Sequence, residues 1–341
     1  MKKTNNSLKF KALAIGILFI CVNVSLKAQF KYPSEAEIKL AMQEAHGDFQ
    51  YINEGRNADY IPYLSSVDAN LYGIAVATVD GKIYEIGDTK YEFGIESISK
   101  VFVLAKALQE RGSKVIEEKI GVNATGFPFN SILPIELEGK KAISPLVNAG
   151  AMATNSLIKG SSKEDQFNKI NAFIDQLAGR KIRVINILYQ SEAATNSHNR
   201  AIAWLLSSYN GLEGDPEQAL DSYTRQCSWG VTATDLAVMS ATLANKGIQP
   251  ITKKRVIDEQ YVPKVLASMV TEGLYEKSGE WLYNVGVPAK SGVGGGVIAV
   301  IPGVMAISAF APPLDEAGNS VKAQKAIAHI VNKLGLNMFN R

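Results

Sequence analysis

Strand-type alternation in this chain is confined to two places, one near each end, and the long stretch between them carries apolar residues at helical spacing. Near the start, Tyr72 to Val79 is rich in β-formers, Asp80-Gly81 is a two-residue turn, and Lys82 to Ile86 alternates, which predicts a hairpin. Near the end, Gly295 to Val300 and Val304 to Ala311 are apolar strands joined at Pro302-Gly303. Strands so far apart bury their faces most simply by joining one antiparallel sheet. The expected fold is therefore α/β of the α+β kind, an antiparallel sheet flanked by helices with an all-helical lobe inserted. The α/β lobe takes residues 29–111 and 287–341, and the helical lobe residues 112–286.

Helices punctuate that plan. Ser34 to Gly47 carries Ile38, Met42 and Ala45 on one face behind a Ser34 N-cap with Glu37 three residues on, a capping-box pattern. Ser97 to Arg111 is amphipathic and expected to end at Gly112. Within the insert, Asn168 to Leu177, Asn199 to Tyr209, Glu217 to Arg225 and Thr234 to Lys246 read as helices, the last capped by Thr234 and closed by Gly247. Asn319 to Leu334 is a terminal amphipathic helix.

With 46% hydrophobic and 20% charged residues the chain can build a substantial core. Its formal charge of +3 misleads, because Lys2, Lys3, Lys9, Lys11 and Lys27 all precede Gln29; without them 31 basic residues face 33 acidic ones. Such a body lacks the basic footprint of a nucleic-acid partner. The basic start, the apolar run Ala12 to Val22 and the small residue Ala28 form a signal-peptide pattern over residues 1–28, with export to the periplasm as the expectation and a cytoplasmic setting as the alternative. Nothing in the pattern then holds the mature chain to a membrane. After cleavage Cys227 is the remaining cysteine, read as a small buried residue that can form no intramolecular disulfide.

The motif search singles out Ser97-Ile98-Ser99-Lys100, which opens the helix after the hairpin and sets a serine and a lysine one helical turn apart. A second S-x-x-K, Ser156 to Lys159, falls inside the helical insert. Taken alone, Ser97 and Lys100 read as an N-cap and a solvated lysine. A companion K-S-G occurs twice. Lys277-Ser278-Gly279 looks like a polar turn, whereas Lys290-Ser291-Gly292 leads through Val293-Gly294-Gly295-Gly296 into a strand. The glycines there allow a ligand close to the backbone and leave the Val293 N–H able to polarise a carbonyl. His46, His198 and His329 show no metal-ligand spacing, and no G-x-S-x-G is present.

The order of elements and these two motifs follow the plan of penicillin-binding proteins and serine β-lactamases. A more specific resemblance rests on Asp59-Tyr60-Ile61-Pro62, Val79-Asp80-Gly81, Gly87-Asp88-Thr89, Glu96 to Lys100, Pro128-Phe129-Asn130-Ser131, Pro145 to Ala151, Gln190-Ser191-Glu192, His198-Asn199-Arg200 and Pro288 to Gly296. In order from about residue 36 to the C-terminus, these segments resemble the serine-dependent glutaminase family. The resemblance implies Ser97 as nucleophile, Lys100 as its base, and Tyr60 and Tyr275 as catalytic-site tyrosines. It implies substrate contacts from Ser97, Asn148, Glu192, Asn199, Tyr223, Tyr275 and the Val293 backbone, with L-glutamine as substrate, no cofactor or metal, and a homodimer or homotetramer.

The chemistry suits the residue types. Amide hydrolysis needs a nucleophile, a base and donors at the oxyanion, and a lysine can be that base only when neutral. Burial between the lobes and the nearby Lys290 charge are the expected causes of a lowered Lys100 pKa. Glu192 suits the α-ammonium of an amino acid. Two alternatives stay open: an exported hydrolase of the same fold acting on β-lactams or peptidoglycan, which should carry a Ser-Asp-Asn or Tyr-x-Asn between the motifs, and an inactive amino-acid-binding protein, which should lack Ser97 or Lys100.

Overall fold

The computed structural model describes residues 32–340, so the leader expected at residues 1–28 lies outside it. The hairpin forms as β1 (Gly73–Thr78) and β2 (Ile83–Gly87), with Gly81 at φ +100° in the turn, a backbone that glycine adopts without strain. Two short strands, β3 (Phe93–Gly94) and β4 (Gly230–Val231), pair only with each other as a separate two-stranded ladder. At the other end of the chain come β5 (Ala289–Ser291), β6 (Gly296–Ile301) and β7 (Met305–Phe310). The main sheet is antiparallel throughout in the order β2-β1-β7-β6-β5, so β7 brings the two chain ends together as expected.

Both faces of the sheet are covered. On one face Ala75, Ala77, Ile298, Val300, Ala306 and Phe310 share a core cluster with Leu236, Met239 and Leu243 of the Ala233–Ala244 helix. By strand alternation Ile74, Val76, Val297 and Ile307 point the other way, toward the side where the Glu35–Phe49 and Val321–Lys333 helices pack on each other and on the strands. That double burial explains why β1, β6 and β7 are buried at every position and mostly apolar, with Thr78 and Ser308 as polar exceptions, while the edge strand β2 alternates. The Ala233–Ala244 helix belongs by sequence to the long insert, yet it packs directly across β1, β6 and β7.

Several boundaries move for identifiable reasons. The Ser34–Glu37 capping box forms as expected. The helix expected from Thr234 starts instead at the Thr232 N-cap, because Asp235 completes a capping box with Thr232. Gly112, at φ 78° and ψ 161°, is non-helical and ends the first helix as expected; a second helical stretch follows it directly to Lys119 and carries Ile116 into the core. The stretch Lys277-Ser278-Gly279 is no polar turn, since Ser278 donates to Tyr275 O at 2.7 Å and accepts from Leu274 N at 3.0 Å, launching the helix Ser278–Asn284.

Candidate active site

Ser97 sits in a single 3₁₀ turn, Glu96–Ile98, that feeds the Ser99–Lys119 helix. The helix N-cap is Ile98, with no side-chain cap bond, and the Ser97 side chain lies close enough to the Tyr275 phenol to act on its ionisation. Ser99 Oγ donates to Glu96 O at 2.6 Å and accepts from Gln226 Nε2 at 3.1 Å, while Ile95 N–H donates to Trp229 O at 2.9 Å. These bonds fasten the turn from both sides. Glu96 itself holds φ +51°, a left-handed backbone that is uncommon outside glycine.

The loop between β5 and β6 lies against this turn. A Cβ on Gly294 would come within 2.4 Å of Gly94 O, and one on Gly292 within 2.8 Å of Ile95 O. Only glycine admits so close an approach. It places Val293 on the wall of a cavity of about 120 Å³ that is also lined by Tyr60, Glu96, Ser97, Asn148, Glu192, Asn199, Tyr223 and Cys227. The Val293 N–H makes no hydrogen bond among the described residues. Seven residues singled out in the sequence, from Tyr60 to Val293, thus meet at one cavity although they come from seven separate chain segments.

Lys100 and Tyr275 stand one layer behind that lining, each about 1% exposed. Lys100 Nζ donates to Asn148 Oδ1 at 2.7 Å and lies 5.6 Å and 5.9 Å from the ring centres of Tyr223 and Tyr275. Asn148 is the hub: its Oδ1 also accepts from the Tyr223 hydroxyl at 2.9 Å, and its Nδ2 donates to Asn199 Oδ1 at 2.9 Å. It occupies the first turn of the Asn148–Leu157 helix, anchored by its own N–H to Phe129 O at 2.9 Å. Tyr275, like Glu96, has positive φ, at 56°. Its buried hydroxyl has no hydrogen-bond partner within normal geometry among the described residues, though Ser97 and Ser291 lie close enough to act on its ionisation. Tyr60 stands at the mouth, half exposed, with its hydroxyl end among Glu96, Tyr275 and Glu192.

Electrostatics at this site are set by burial. Removal from water pushes the Lys100 ammonium down to about 8, against the opposing pull of Cys227, Glu96 and Glu272. The expectation that Lys290 helps to lower it is corrected here. Lys290 is fully buried, donates to Ser291 O at 2.8 Å, and sits 4.0 Å above the Tyr275 ring. Burial first and the Lys100 charge second drive Lys290 well below the usual lysine range, so it carries no dependable charge with which to repel Lys100. Burial also raises the phenols of Tyr60, Tyr223 and Tyr275.

Two features escaped the sequence reading. Glu96 was quoted only as part of a motif, yet it is 3% exposed and faces Glu192 across the cavity wall. His198, which shows no metal-ligand spacing in the sequence, lines the cavity and bonds Asn130 O at 2.7 Å. One potential ligand atom each from Glu96, Glu192 and Cys227 lies within 4.8 Å of the others, and burial, which raises all three groups, opposes the deprotonated forms that a cation needs as ligands. Cys227 is buried, as expected, and burial pushes its thiol up.

Comparison with known proteins places this geometry. The Glutaminase family model matches residues 55–339. A glutaminase of Parabacteroides distasonis is 52% identical over 307 residues, spanning 89% of this chain and 95% of its own, and one of Colwellia psychrerythraea is 51% identical over 91% of this chain and 99% of its own. Among solved structures, the probable glutaminase ybaS superposes with a TM-score of 0.89 at 49% identity, covering 90% of this chain and 99% of that one. Mglu in its glutamate form gives 0.82 at 36% identity, covering 86% and 68%. A match that takes in the Ser97 turn, the Asn148 hub and the β5–β6 loop in one continuous span makes this chain a member of the glutaminase family.

Proposed function

We propose that the protein hydrolyses L-glutamine to L-glutamate and ammonia through an acyl-enzyme on Ser97. The observation that carries this reading is the pairing of a Ser97 hydroxyl on a small cavity with a buried lysine one helical turn away. With its ammonium pushed down to about 8, Lys100 has a substantial neutral fraction just above neutrality. A neutral amine can still donate one N–H to Asn148 Oδ1 while its lone pair takes the Ser97 proton.

Ser97 Oγ attacks the side-chain carbonyl carbon, and the Ser97 proton passes to Lys100 Nζ. The developing oxyanion takes the free Val293 N–H. As the C–N bond breaks, the proton moves to the leaving nitrogen, directly or through the Tyr275 or Tyr60 hydroxyl, and ammonia departs. Water then adds to the γ-glutamyl ester with Lys100 again as base. Glu192 meets the α-ammonium, while Asn199, Tyr223 and Asn148 orient the remainder of the amino acid. The cavity falls below the roughly 300–1,000 Å³ of drug-sized sites, which favours one small amino acid over a β-lactam or a peptide stem.

Export follows from the leader pattern, with cleavage after Ala28 and a periplasmic mature form, and self-association into a dimer or tetramer is the assembly this reading takes. Ammonia release from purified mature protein, with L-glutamine and L-asparagine side by side, tests the activity; no release from either amide overturns it. Intact mass from the native host tests the leader, and full-length soluble protein in the cytoplasm rejects export.

A further inference from the structure

Glu96 and Glu192 reach the cavity from different elements, Glu96 from the 3₁₀ turn that carries Ser97 and Glu192 from the helix Asn186–Thr195. Both carboxyls are at least nine-tenths buried, and both line the cavity. The Oε1 of each meets no N–H or hydroxyl donor among the described residues, and a carboxylate oxygen of one lies within 4.8 Å of one on the other. Two acids in contact, each with an oxygen idle, make a poor structural pair. Buried polar atoms without partners are rare and costly, so the pair needs either a proton shared between the two acids or a donor brought from outside the chain. A primary ammonium has three N–H donors, enough to bridge two carboxylates.

We propose that Glu96 and Glu192 act as one proton-sharing pair that receives the α-ammonium of the substrate, and that binding expels the shared proton to solvent. The inference rests on the proposed role of Glu192 and adds Glu96 as a second substrate-binding carboxyl that selects for a charged primary amine. In the empty site one carboxyl donates its proton to the other, which relieves like-charge repulsion. When the ammonium arrives with its own three protons, the bridging proton has no place and leaves. The bound state has two carboxylates facing one ammonium.

The surroundings fit such a shift. The groups around the pair are Lys100, Cys227, Tyr60, Tyr223 and Tyr275, with His198 on the cavity wall. Burial and mutual repulsion raise Glu192 well above the carboxylate range, and burial lifts Glu96 to about 7 against the pull of Glu192 and Lys100. The pair therefore holds a proton at neutral pH. Both folded-state values lie above those of free carboxylates, so protonation of the pair competes with substrate and affinity strengthens as pH rises.

The test is calorimetric titration of L-glutamine into Ser97→Ala protein at pH 7.5, in buffers of different ionisation enthalpy. The inference expects release of about one proton per site, and release well below that once Glu96→Gln is added. Glutamine binding with no buffer dependence in the Ser97→Ala protein overturns it, a result that needs no second variant. So does unchanged proton release in the Glu96→Gln form. A parallel assay keeps the two readings apart: Glu192→Gln in the active enzyme should harm glutamine far more than a glutamine analogue lacking the α-amino group. If that discrimination holds while proton release is absent, only the pairing with Glu96 fails. If the discrimination is missing, the α-ammonium role of Glu192 fails with it.

Discussion

The chain spells S-x-x-K twice, and the two copies end in opposite environments. At Ser97–Lys100 the serine faces a cavity and the lysine is sealed from water. At Ser156–Lys159 the serine is held by the backbone, donating to Ala153 O at 2.7 Å and accepting from Glu213 N at 3.0 Å, and Lys159 is exposed. Spacing puts a hydroxyl and an amine on one face, but only desolvation supplies the free base. The two copies are also joined: the Asn148–Leu157 helix that carries Ser156 near its C-terminus presents Asn148, the partner of Lys100, at its start.

The sharpest break between the copies is removal of each hydroxyl. Ser97→Ala should lower kcat by about 10⁴-fold or more while glutamine still binds, as measured by ammonia release and calorimetry. Next is the base. Lys100→Arg keeps the charge but cannot deprotonate, so turnover should fall about 10³-fold with binding retained. In the parent enzyme kcat should climb as pH rises through about 8, where Lys100 loses its proton, and that limb should vanish in Lys100→Arg. Substantial turnover by the arginine form would hand proton transfer to Tyr60 or Tyr275.

Glu192→Gln comes third, expected to cost roughly 10- to 100-fold in kcat/KM for glutamine, the range of a lost charge-assisted contact. Equal losses on the deamino analogue would make Glu192 architectural. The smallest effect is reserved for the second copy: Ser156→Ala should leave kcat within about twofold and lower stability by about 1 kcal/mol, the worth of its hydrogen bonds to the Glu213 backbone and Ala153. If Ser156→Ala were the inactive variant, the choice of copy would be reversed.

Where the sequence was readable, the reason is that one rule acted alone. The hairpin, the Ser34 cap and the terminal strands each follow from alternation, turn chemistry or a capping box. The Asn148–Leu157 helix was missed because its residues from Asn148 through Asn155 are buried all round, which leaves no amphipathic stripe to detect. The helix Asn186–Thr195 fails for the opposite reason, since it buries only Leu188 and Glu192. At the site, residue types and motif register located Ser97, Asn148 and Val293. Glu96 stayed hidden because its neighbour Glu192 lies almost a hundred positions away, and Lys290 was misjudged because its burial, and hence its lost charge, depends on the packing of Tyr275 over it.

The left-handed backbone at Glu96 and Tyr275 has a practical consequence for anyone hardening this enzyme against heat. Each such residue stores on the order of 1–3 kcal/mol of conformational strain; glycine would relieve it at Glu96, whereas at Tyr275 the cavity left by a buried ring packed on Phe129 and Lys290 would cost more than the strain it removed. A selection that scores survival at high temperature alone will therefore favour replacement of Glu96, the residue next to the nucleophile, and will return robust proteins that no longer turn over substrate. Stabilising work belongs instead on the far side of the sheet, among the helices Glu35–Phe49 and Val321–Lys333, where tighter packing leaves the strained turn untouched.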